Sequence, residues 1–248
     1  MAVSRSQNKR KGTWHVSTKA SKKKLHICTP HNRIFPSEYV ICAIRSLSEL
    51  SYDYDMDIVL TESALIHANR NALLYNAYAE EADYVVYIDN DMLWSPDDIR
   101  NLIATGKDVV SALTRSRTNL HGIKNPPVVF EYDKNNNPSI MKEIPDTLFE
   151  ADAVGTGFLL ITKPVVTKLI ENIDTVGYAF DFMKRMFDHN KEEKGVTSFL
   201  GEDISFCYRA KQLGFSIWCE PKVQVGHIVS RVVGLSPDSI IRATRNNA

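Results

Sequence analysis

The sequence predicts an α/β fold in which helices cover both faces of a mostly parallel sheet. Short runs rich in β-branched and aromatic residues alternate along the chain with segments whose apolar residues recur at helical spacing. Several helical segments carry start and stop residues, and the hydrophobic fraction of 44% in 248 residues suits one soluble core. Because parallel strands need a crossover connection, usually a helix, this alternation favours a parallel sheet over one built from hairpins.

Strands and helices alternate regularly through the first half of the chain. The β-rich runs predict strands at residues 25–29, 53–61, 83–89 and 108–113. Helical periodicity predicts helices at residues 37–50, 64–82 and 95–106. Ser37 and Ser95 are expected as helix N-caps. Pro96 is expected at a first helical position, and Gly106 is expected to end its helix.

The order of elements changes from about residue 114. Prolines and the polar run DKNNNPS predict a hairpin-like excursion before a strand returns at residues 151–162. The later predicted elements are helices at 163–173 and 201–214, a closing strand pair at 215–228 and a helix opening at Ser236. The predicted organisation is a basic tail over 1–24, a single domain over 25–230 and a C-terminal helix or tail over 231–248.

The zero net charge of the chain hides a strong asymmetry. Residues 1–24 hold eight Lys or Arg and no acid, so the rest of the chain has 22 basic against 30 acidic residues, a balance of −8. A basic arm of this kind is typical of a disordered, solvated tail. Nucleic acid or another acidic surface is the alternative partner for it.

Targeting signals and cysteine patterns exclude several classes of protein. No apolar run approaches the ~20 residues that span a bilayer, and no apolar stretch follows the basic arm as in a secretory signal. The four cysteines lack a C-x-x-C pair, which favours buried free thiols over a disulfide or zinc site. We therefore expect a soluble cytoplasmic protein.

Two carboxylates interrupt the apolar run YVVYIDNDMLW. Asp89 and Asp91 flank Asn90 at the end of a predicted buried strand, and ligands in parallel α/β sheets bind at the carboxyl ends of strands. Carboxylates at i and i+2 suit a hard cation such as Mg²⁺ or Mn²⁺, or one can bind metal and the other a ribose. A polar turn explains the same three residues about equally well.

Three further motifs supply chemistry that fits such a site. Glu202 and Asp203 open a predicted helix, whose dipole both favours acids there and keeps a carboxylate ionised for use as a base. His227 lies in a short late strand, where it is either a hydrogen-bonded core residue or a further metal ligand. Arg70 and Asn71 lie in a predicted helix, from which they could reach a nucleobase or phosphate.

A glycine pair offers a close approach to a ligand. Gly155 and Gly157 enclose Thr156 in the run AVGTGF, and glycine allows backbone to pass near a bound molecule. A bulge or tight turn is the alternative explanation.

The order of these motifs resembles that of GT-A fold, nucleotide-sugar-dependent glycosyltransferases, particularly the family-2-like members from viruses, phages and bacteria. The matching runs are HANRN, IDNDMLWSP, GTGF, GEDISFCYRAKQLG and GH, and the resemblance as a whole covers about residues 25–228. The resemblance implies a Rossmann-like, mostly parallel sheet flanked by helices, with a smaller mixed sheet on the acceptor side. It implies a nucleotide-binding half over about 25–113 and an acceptor-binding half over about 114–230.

The resemblance also implies roles for individual residues. Asp91 would hold a Mn²⁺ or Mg²⁺ that bridges the donor diphosphate, His227 would complete the coordination, and Asp89 would contact the ribose or the metal. Asp203 would be the catalytic base and Glu202 would orient a sugar hydroxyl, although these two roles could be exchanged. Further contacts to the donor or acceptor are implied for Thr29, Pro30, Arg70, Asn71, Asn90, Trp94, Gly157 and Phe158.

The leading hypothesis is therefore a metal-dependent, inverting transfer of sugar from a nucleoside-diphosphate sugar, with UDP favoured, to an acceptor hydroxyl. The acceptor could be a glycan, a protein or a modified DNA base, because the missing membrane anchor argues against Golgi-type acceptors. The alternatives are a retaining glycosyltransferase, a nucleotidyltransferase and a non-catalytic nucleic-acid-binding protein. Nucleotidyltransferases usually have a Gly-rich loop after the first strand, and TPHNRIFPSEY contains no glycine.

Overall fold

The computed structural model describes residues 21–32, 34–119, 123–134, 137–184 and 199–229. Residues 1–20 of the tail predicted over 1–24 lie outside the described residues, as does the helix predicted from Ser236. Lys22, Lys23 and Lys24 at the end of the predicted tail contact the domain: Lys22 Nζ donates to the Ser51 carbonyl at 2.6 Å. Among the described residues, no helix is both long and apolar enough to cross a membrane.

Most elements of the first half follow the predicted order. They are β1 (Lys24–His31), α1 (Ser37–Leu50), β2 (Asp55–Glu62), α2 (Ile66–Ala79), β3 (Tyr84–Ile88), β4 (Met92–Leu93), α3 (Pro96–Ala104) and β5 (Val109–Leu113). The Asp98 carboxylate accepts a hydrogen bond from the Ser95 backbone N–H at 2.7 Å, and Ser95 is the N-cap of α3 as predicted. The predicted Ser37 cap is wrong by one residue, because Pro36 takes the extended N-cap conformation and Ser37 begins α1.

The second half is more divided than predicted. Its elements are β6 (Val129–Tyr132), β7 (Pro138–Ile140), β8 (Phe149–Ala151), β9 (Ala153–Val154), β10 (Phe158–Thr162), α4 (Lys163–Glu171), α5 (Ile173–Val176), β11 (Met183–Lys184), β12 (Phe199–Leu200), α6 (Glu202–Gln212), β13 (Ile217–Gln224) and β14 (Gly226–His227). The strand predicted at 151–162 is thus split into three pieces, and one break falls at Gly155, Thr156 and Gly157.

One seven-stranded sheet forms the centre of the molecule, in the order β2-β1-β3-β10-β5-β13-β8. Strands β2, β1, β3, β5 and β13 run in one direction, while β10 and β8 run against their neighbours. The predicted α/β class with a mostly parallel, Rossmann-like sheet is therefore confirmed. Because β10 lies between β3 and β5, it joins residues of the second half to the centre of the sheet built by the first.

Helices cover both faces of this sheet, and the strand period of two explains why. Val86 and Ile88 belong to a buried cluster with residues of α1 and α3. Val85 and Tyr87 point the other way, into a cluster with residues of α2, α4 and α6. A strand buried on both faces needs an almost continuous apolar run, and YVVYI supplies it. Because β3 is buried on both faces, the polar residue that follows it, Asp89, lies at a defined position at the end of the strand.

Within the described residues, three small antiparallel sheets accompany the central one. β6 pairs with β7 and β9 in the excursion that follows β5, which confirms the smaller sheet of the predicted fold class. β11 pairs with β12, and β4 pairs with β14. The four cysteines are free thiols, as predicted, and Cys28, Cys207 and Cys219 are buried.

Candidate functional site

A buried arginine gathers three carboxylates at the edge of the central sheet. Arg70 of α2 donates from Nη2 to Asp89 Oδ1 at 2.8 Å and to Asp89 Oδ2 at 3.1 Å. Its Nη1 donates to Glu202 Oε1 at 2.8 Å and to Asp203 Oδ1 at 2.9 Å. The sequence therefore predicted the members of one cluster, although they come from α2, the end of β3 and α6.

The Arg70 guanidinium is strongly held by these partners. Its side chain is only 3% exposed, and the Tyr87 hydroxyl donates to the Arg70 carbonyl at 3.0 Å from the adjacent strand. Burial alone lowers the pKa of Arg70, but the charges of Asp89, Asp203 and Glu202 outweigh it and raise this pKa above its usual value. Removal of one partner of a buried ion pair typically costs about 3–5 kcal/mol, so the cluster depends on Arg70.

Asp203 is the carboxylate best placed to accept a proton. Arg70 Nη1 and the Thr156 hydroxyl both donate to Asp203 Oδ1. No described residue donates to Oδ2, while the side chain keeps 29% of its surface exposed. Burial raises the pKa of Asp203 to about 6; Arg70 opposes the shift, and the neighbouring Glu202 charge adds to it. A carboxylate with a pKa near 6 is ionised at neutral pH and is more basic than an ordinary aspartate.

The position of Asp91 beside His227 is set by a two-strand pairing. β14 pairs with β4 so that His227 lies opposite Met92, and the Ile228 N–H donates to the Asp91 carbonyl at 2.7 Å. His227 Nδ1 lies 2.5 Å from the Arg115 carbonyl. Because a carbonyl only accepts, Nδ1 must carry the proton, which leaves the Nε2 lone pair available for a ligand.

The fit of this donor set to a metal is partial. Among the described parts of the chain, no three His, Cys, Asp or Glu side chains form a ready cluster for a metal ion. Asp89 is bound through both oxygens by Arg70, and the Asp91 carboxylate is paired with the Arg117 guanidinium. The Asp91 carboxylate still suits Mn²⁺ or Mg²⁺, since Mg²⁺ commonly takes one or two carboxylates and completes its shell from phosphates and water, while the Nε2 of His227 is a less usual ligand for these ions. The carbonyl on Nδ1 is also the usual outer partner of a ligating histidine.

Several residues singled out by the sequence have internal partners in the structure. Thr29 is buried, and its hydroxyl lies 2.5 Å from the Tyr39 hydroxyl. Asn71 donates to Asp181 Oδ1 at 2.9 Å and accepts from the Phe180 N–H at 3.0 Å, so it positions the segment after α5. Pro30 is buried at the carboxyl end of β1.

The two aromatic candidates pack inside the protein. Trp94 and Phe158 are buried in the cluster beneath α1 and α3, with ring centroids 6.3 Å apart. The Trp94 indole N–H donates to the Ser46 hydroxyl at 2.9 Å. The structure therefore places these side chains in the core rather than beside the carboxylates.

Gly157 approaches the carboxylate cluster closely. Its carbonyl accepts a hydrogen bond from the Asp89 N–H at 3.0 Å. A Cβ at this position would lie 2.6 Å from Met92 Cε and 3.2 Å from Asp89 Oδ2. The glycine is thus needed for the packing of Asp89, whether or not it touches a ligand.

A cleft of about 450 Å³ opens beside Asp91. It is lined by Asn32, Ile34, Pro36, Asn90, Asp91, Arg117, Ile228 and Val229. The Asn90 amide donates to the Ile34 carbonyl at 2.6 Å, which ties the strand end to one wall. Arg117 could not be predicted as a site residue, because a lone arginine in a loop carries no motif; its contact with Asp91 identifies it.

Comparison with known proteins gives a fold but no family. No protein-family model matches the chain, and no curated protein matches it. Among solved structures, the chain is similar to A197 from STIV, with a TM-score of 0.51 and 18% identity over 88% of this chain and 91% of that one. It also matches a glycosyltransferase involved in the glycosylation of the major capsid of PBCV-1, with a TM-score of 0.34 and 12% identity over 60% of this chain and 64% of that one. The likeness to A197 is one of fold alone.

Proposed function

We propose that the protein is a metal-dependent glycosyltransferase that moves a sugar from a nucleoside-diphosphate sugar to an acceptor hydroxyl with inversion. A UDP-sugar is the favoured donor. One observation carries the proposal: Arg70 holds Asp89, Glu202 and Asp203 together, at the sheet edge where Asp91 lies beside His227. The same residues form the ordered motifs that resemble this class of enzyme.

Asp203 is the base in this proposal. Its Oδ2 takes the proton from the acceptor hydroxyl while that oxygen attacks the anomeric carbon. The bond from the anomeric carbon to the diphosphate oxygen breaks, and the nucleoside diphosphate leaves with the electron pair. Attack on the face opposite the leaving group inverts the anomeric configuration. Arg70 and Thr156 hold Oδ1, which fixes the direction of Oδ2.

Asp91 and His227 are the residues that would hold the divalent cation. That ion would supply charge neutralisation for the departing diphosphate. Asp89, bound by Arg70 through both oxygens, is better suited to orienting the donor than to holding metal. Glu202 shares Arg70 Nη1 with Asp203 and is assigned to a sugar hydroxyl.

The site also bears on the alternative of a non-catalytic nucleic-acid-binding protein. Three carboxylates around one buried guanidinium leave a formal excess of two negative charges. Such an excess repels a polyanion and favours a bound cation. A binding protein that acts through its basic arm would have no use for this arrangement.

A donor screen with two matched variants tests the proposal. The purified protein is incubated with a panel of nucleotide sugars and Mn²⁺, and nucleotide release and thermal stabilisation are measured. Wild type should respond to a donor. Asp203→Asn should lower transfer by about 10²–10⁴-fold with donor binding retained, since it removes only the base. Asp91→Asn should weaken metal-dependent donor binding itself.

Three results would count against the assignments. No response to any donor, with or without metal, would reject the glycosyltransferase. Normal transfer by Asp203→Asn would reject the base. A product that keeps the donor's anomeric configuration, measured by NMR, would reject inversion.

A further inference from the structure

Arg117 reaches Asp91 from the segment that follows β5. Its guanidinium pairs with Asp91 Oδ2, and both side chains line the cleft beside β4. The two partners differ in freedom: the Arg117 side chain is 57% exposed, whereas that of Asp91 is 19% exposed. Asp91 is also fixed through its backbone by Ile228, so Arg117 is the partner that can move away.

The ion pair sets a condition on any cation that binds Asp91. A divalent ion at Asp91 Oδ2 would take the place of the guanidinium and leave Arg117 unpaired next to a second positive charge. Like charges this close repel, so the charge of Arg117 weakens the binding of a divalent cation when no anion is bound with it. An anion with several oxygens removes the opposition, because guanidinium pairs well with phosphate. Among the described residues, Arg117 contacts no carboxylate other than Asp91.

We propose that Arg117 couples the binding of the divalent cation to the binding of the donor diphosphate. It pairs with Asp91 in the protein alone and pairs with a phosphate oxygen once cation and diphosphate occupy the cleft. This inference rests on the proposed function, since it takes Asp91 as the ligand of the metal. By thermodynamic linkage the coupling is reciprocal: the diphosphate strengthens cation binding by the same factor by which the cation strengthens diphosphate binding.

Arg115→Ala is a matched control for the charge that Arg117→Ala removes. Arg115 lies two residues earlier in the same segment, and its side chain donates to the Asn125 carbonyl at 3.4 Å. Its backbone carbonyl, which accepts from His227, is kept in Arg115→Ala. Arg115→Ala and Arg117→Ala therefore remove the same charge from the same segment, but only the second removes the partner of Asp91.

The test measures binding rather than turnover. Mn²⁺ affinity is measured by electron paramagnetic resonance with and without UDP, and UDP affinity by calorimetry with and without Mn²⁺, in full-length wild type, Arg117→Ala, Arg117→Lys and Arg115→Ala. In wild type, UDP should strengthen Mn²⁺ binding by about 10-fold or more, within the usual range for coupled sites. Arg117→Ala should bind Mn²⁺ alone more tightly, bind UDP more weakly and lower the coupling factor, leaving only the part that comes from direct contact between the cation and the diphosphate. Arg117→Lys should keep part of the coupling, and Arg115→Ala should match wild type.

The outcomes separate this inference from the function on which it rests. If wild type binds Mn²⁺ and UDP, but Arg117→Ala leaves the coupling factor unchanged, Arg117 does not couple the two sites. A coupling that falls equally in Arg115→Ala and Arg117→Ala reflects charge alone and also overturns the inference. If wild type binds neither Mn²⁺ nor UDP, nor GDP as a second diphosphate, the proposed metal and donor site itself is rejected.

Discussion

Arg70 is the residue on which the candidate site depends most. It is a single guanidinium shared by Asp89, Glu202 and Asp203, and the only ion pairs of these carboxylates within the described chain are with it. Arg70 therefore does two things: it holds three distant parts of the chain together, and it limits the repulsion between the acids. Burial raises the pKa of Asp203 to about 6, and the charges of Glu202 and Asp89 add to the shift that Arg70 opposes.

That raised pKa predicts a distinctive pH profile for sugar transfer. A base acts only when ionised, so kcat/KM should fall about tenfold per pH unit below pH 6, about two units above where an ordinary aspartate would cause the fall. The Thr156 hydrogen bond lowers the pKa of Asp203. Thr156→Val should therefore move the acid limb to higher pH, whereas Thr156→Ser keeps the hydroxyl and should leave it in place.

The measurement is the rate of nucleotide release from pH 5 to 8.5 at saturating acceptor. A wild-type rate that stays flat down to pH 5 would contradict the assignment of Asp203. A limb that does not move in Thr156→Val would show that the threonine acts only in packing.

At the scale of elements, the break between β9 and β10 positions the site. Gly155 and Gly157 enclose Thr156, which reaches Asp203, while the Gly157 backbone lies against Asp89. A methyl group at Gly157 would press on Met92 and on the Asp89 carboxylate. The three atoms nearest to a methyl group at Gly155 belong to Val128 and Thr114, with Val128 Cγ1 at 2.8 Å.

These two glycines provide a matched pair of substitutions. Gly155→Ala and Gly157→Ala should each lower the free energy of unfolding by about 1–3 kcal/mol, the usual cost of overpacking. Only Gly157→Ala should also weaken donor binding, because only it displaces Asp89 from Arg70. Urea unfolding measures the first effect and calorimetry with the donor measures the second. Equal losses of donor affinity in both variants would mean that Asp89 is not displaced.

Elements with strong local signals could be predicted from the sequence. Ser95, Pro96 and Gly106 marked both ends of α3, and the continuous apolar run at β3 marked a strand buried on both faces. The two turns of the candidate site, at Asp89–Asp91 and Gly155–Gly157, were singled out because carboxylates and glycines lie there at the ends of predicted strands, although a polar turn and a tight turn explained the same residues.

Side-chain partners could not be predicted in the same way. Trp94 carried a motif that suggested ligand contact, but its place in the core depends on Ser46 and Phe158, which are far away in sequence. Asn71 is likewise bound to the segment around Asp181. Arg117 had no local signal at all. Contacts of this kind depend on how strands are ordered in the sheet, which local patterns do not encode.

At the scale of the molecule, the sheet order is what assembles the site. Arg70 pairs with residues 132 and 133 positions away, since β10 brings the second half of the chain between β3 and β5. The charge of the chain is also uneven, with eight basic residues in 1–24 against a balance of −8 elsewhere. The contact of that basic arm with nucleic acid stays a prediction.

Two buried groups give the stability of the whole molecule opposite dependences on pH. His26 of β1 is 1% exposed, neither ring nitrogen has a hydrogen bond within the described residues, and Nε2 lies 3.6 Å from Asp57 Oδ2. Burial lowers the pKa of His26, although Asp57 opposes the shift. The unfolded chain therefore binds more protons at His26, and stability falls as the pH drops below about 6.5.

Asp203 gives the free energy of unfolding the opposite dependence on pH, because its folded pKa of about 6 exceeds the ordinary 3.8. Its contribution is present at low pH and is lost as the pH rises through 6.

Variants should separate these two contributions. The free energy of unfolding is measured in urea from pH 5 to 8, and in wild type the two contributions should oppose each other as the pH falls below 6. His26→Phe removes the histidine contribution and should become more stable than wild type on acidification. Asp203→Asn removes the opposite one and should become less stable on acidification, with slopes differing from wild type by up to about 1.4 kcal/mol per pH unit for one proton. Identical slopes in all three proteins would contradict both pKa shifts.

The raised pKa of Asp203 means that its ionised carboxylate lowers the free energy of unfolding at neutral pH, where the proposed base would act. Asp203→Asn should therefore unfold at a higher urea concentration than wild type at pH 8. The same variant should fail to transfer sugar.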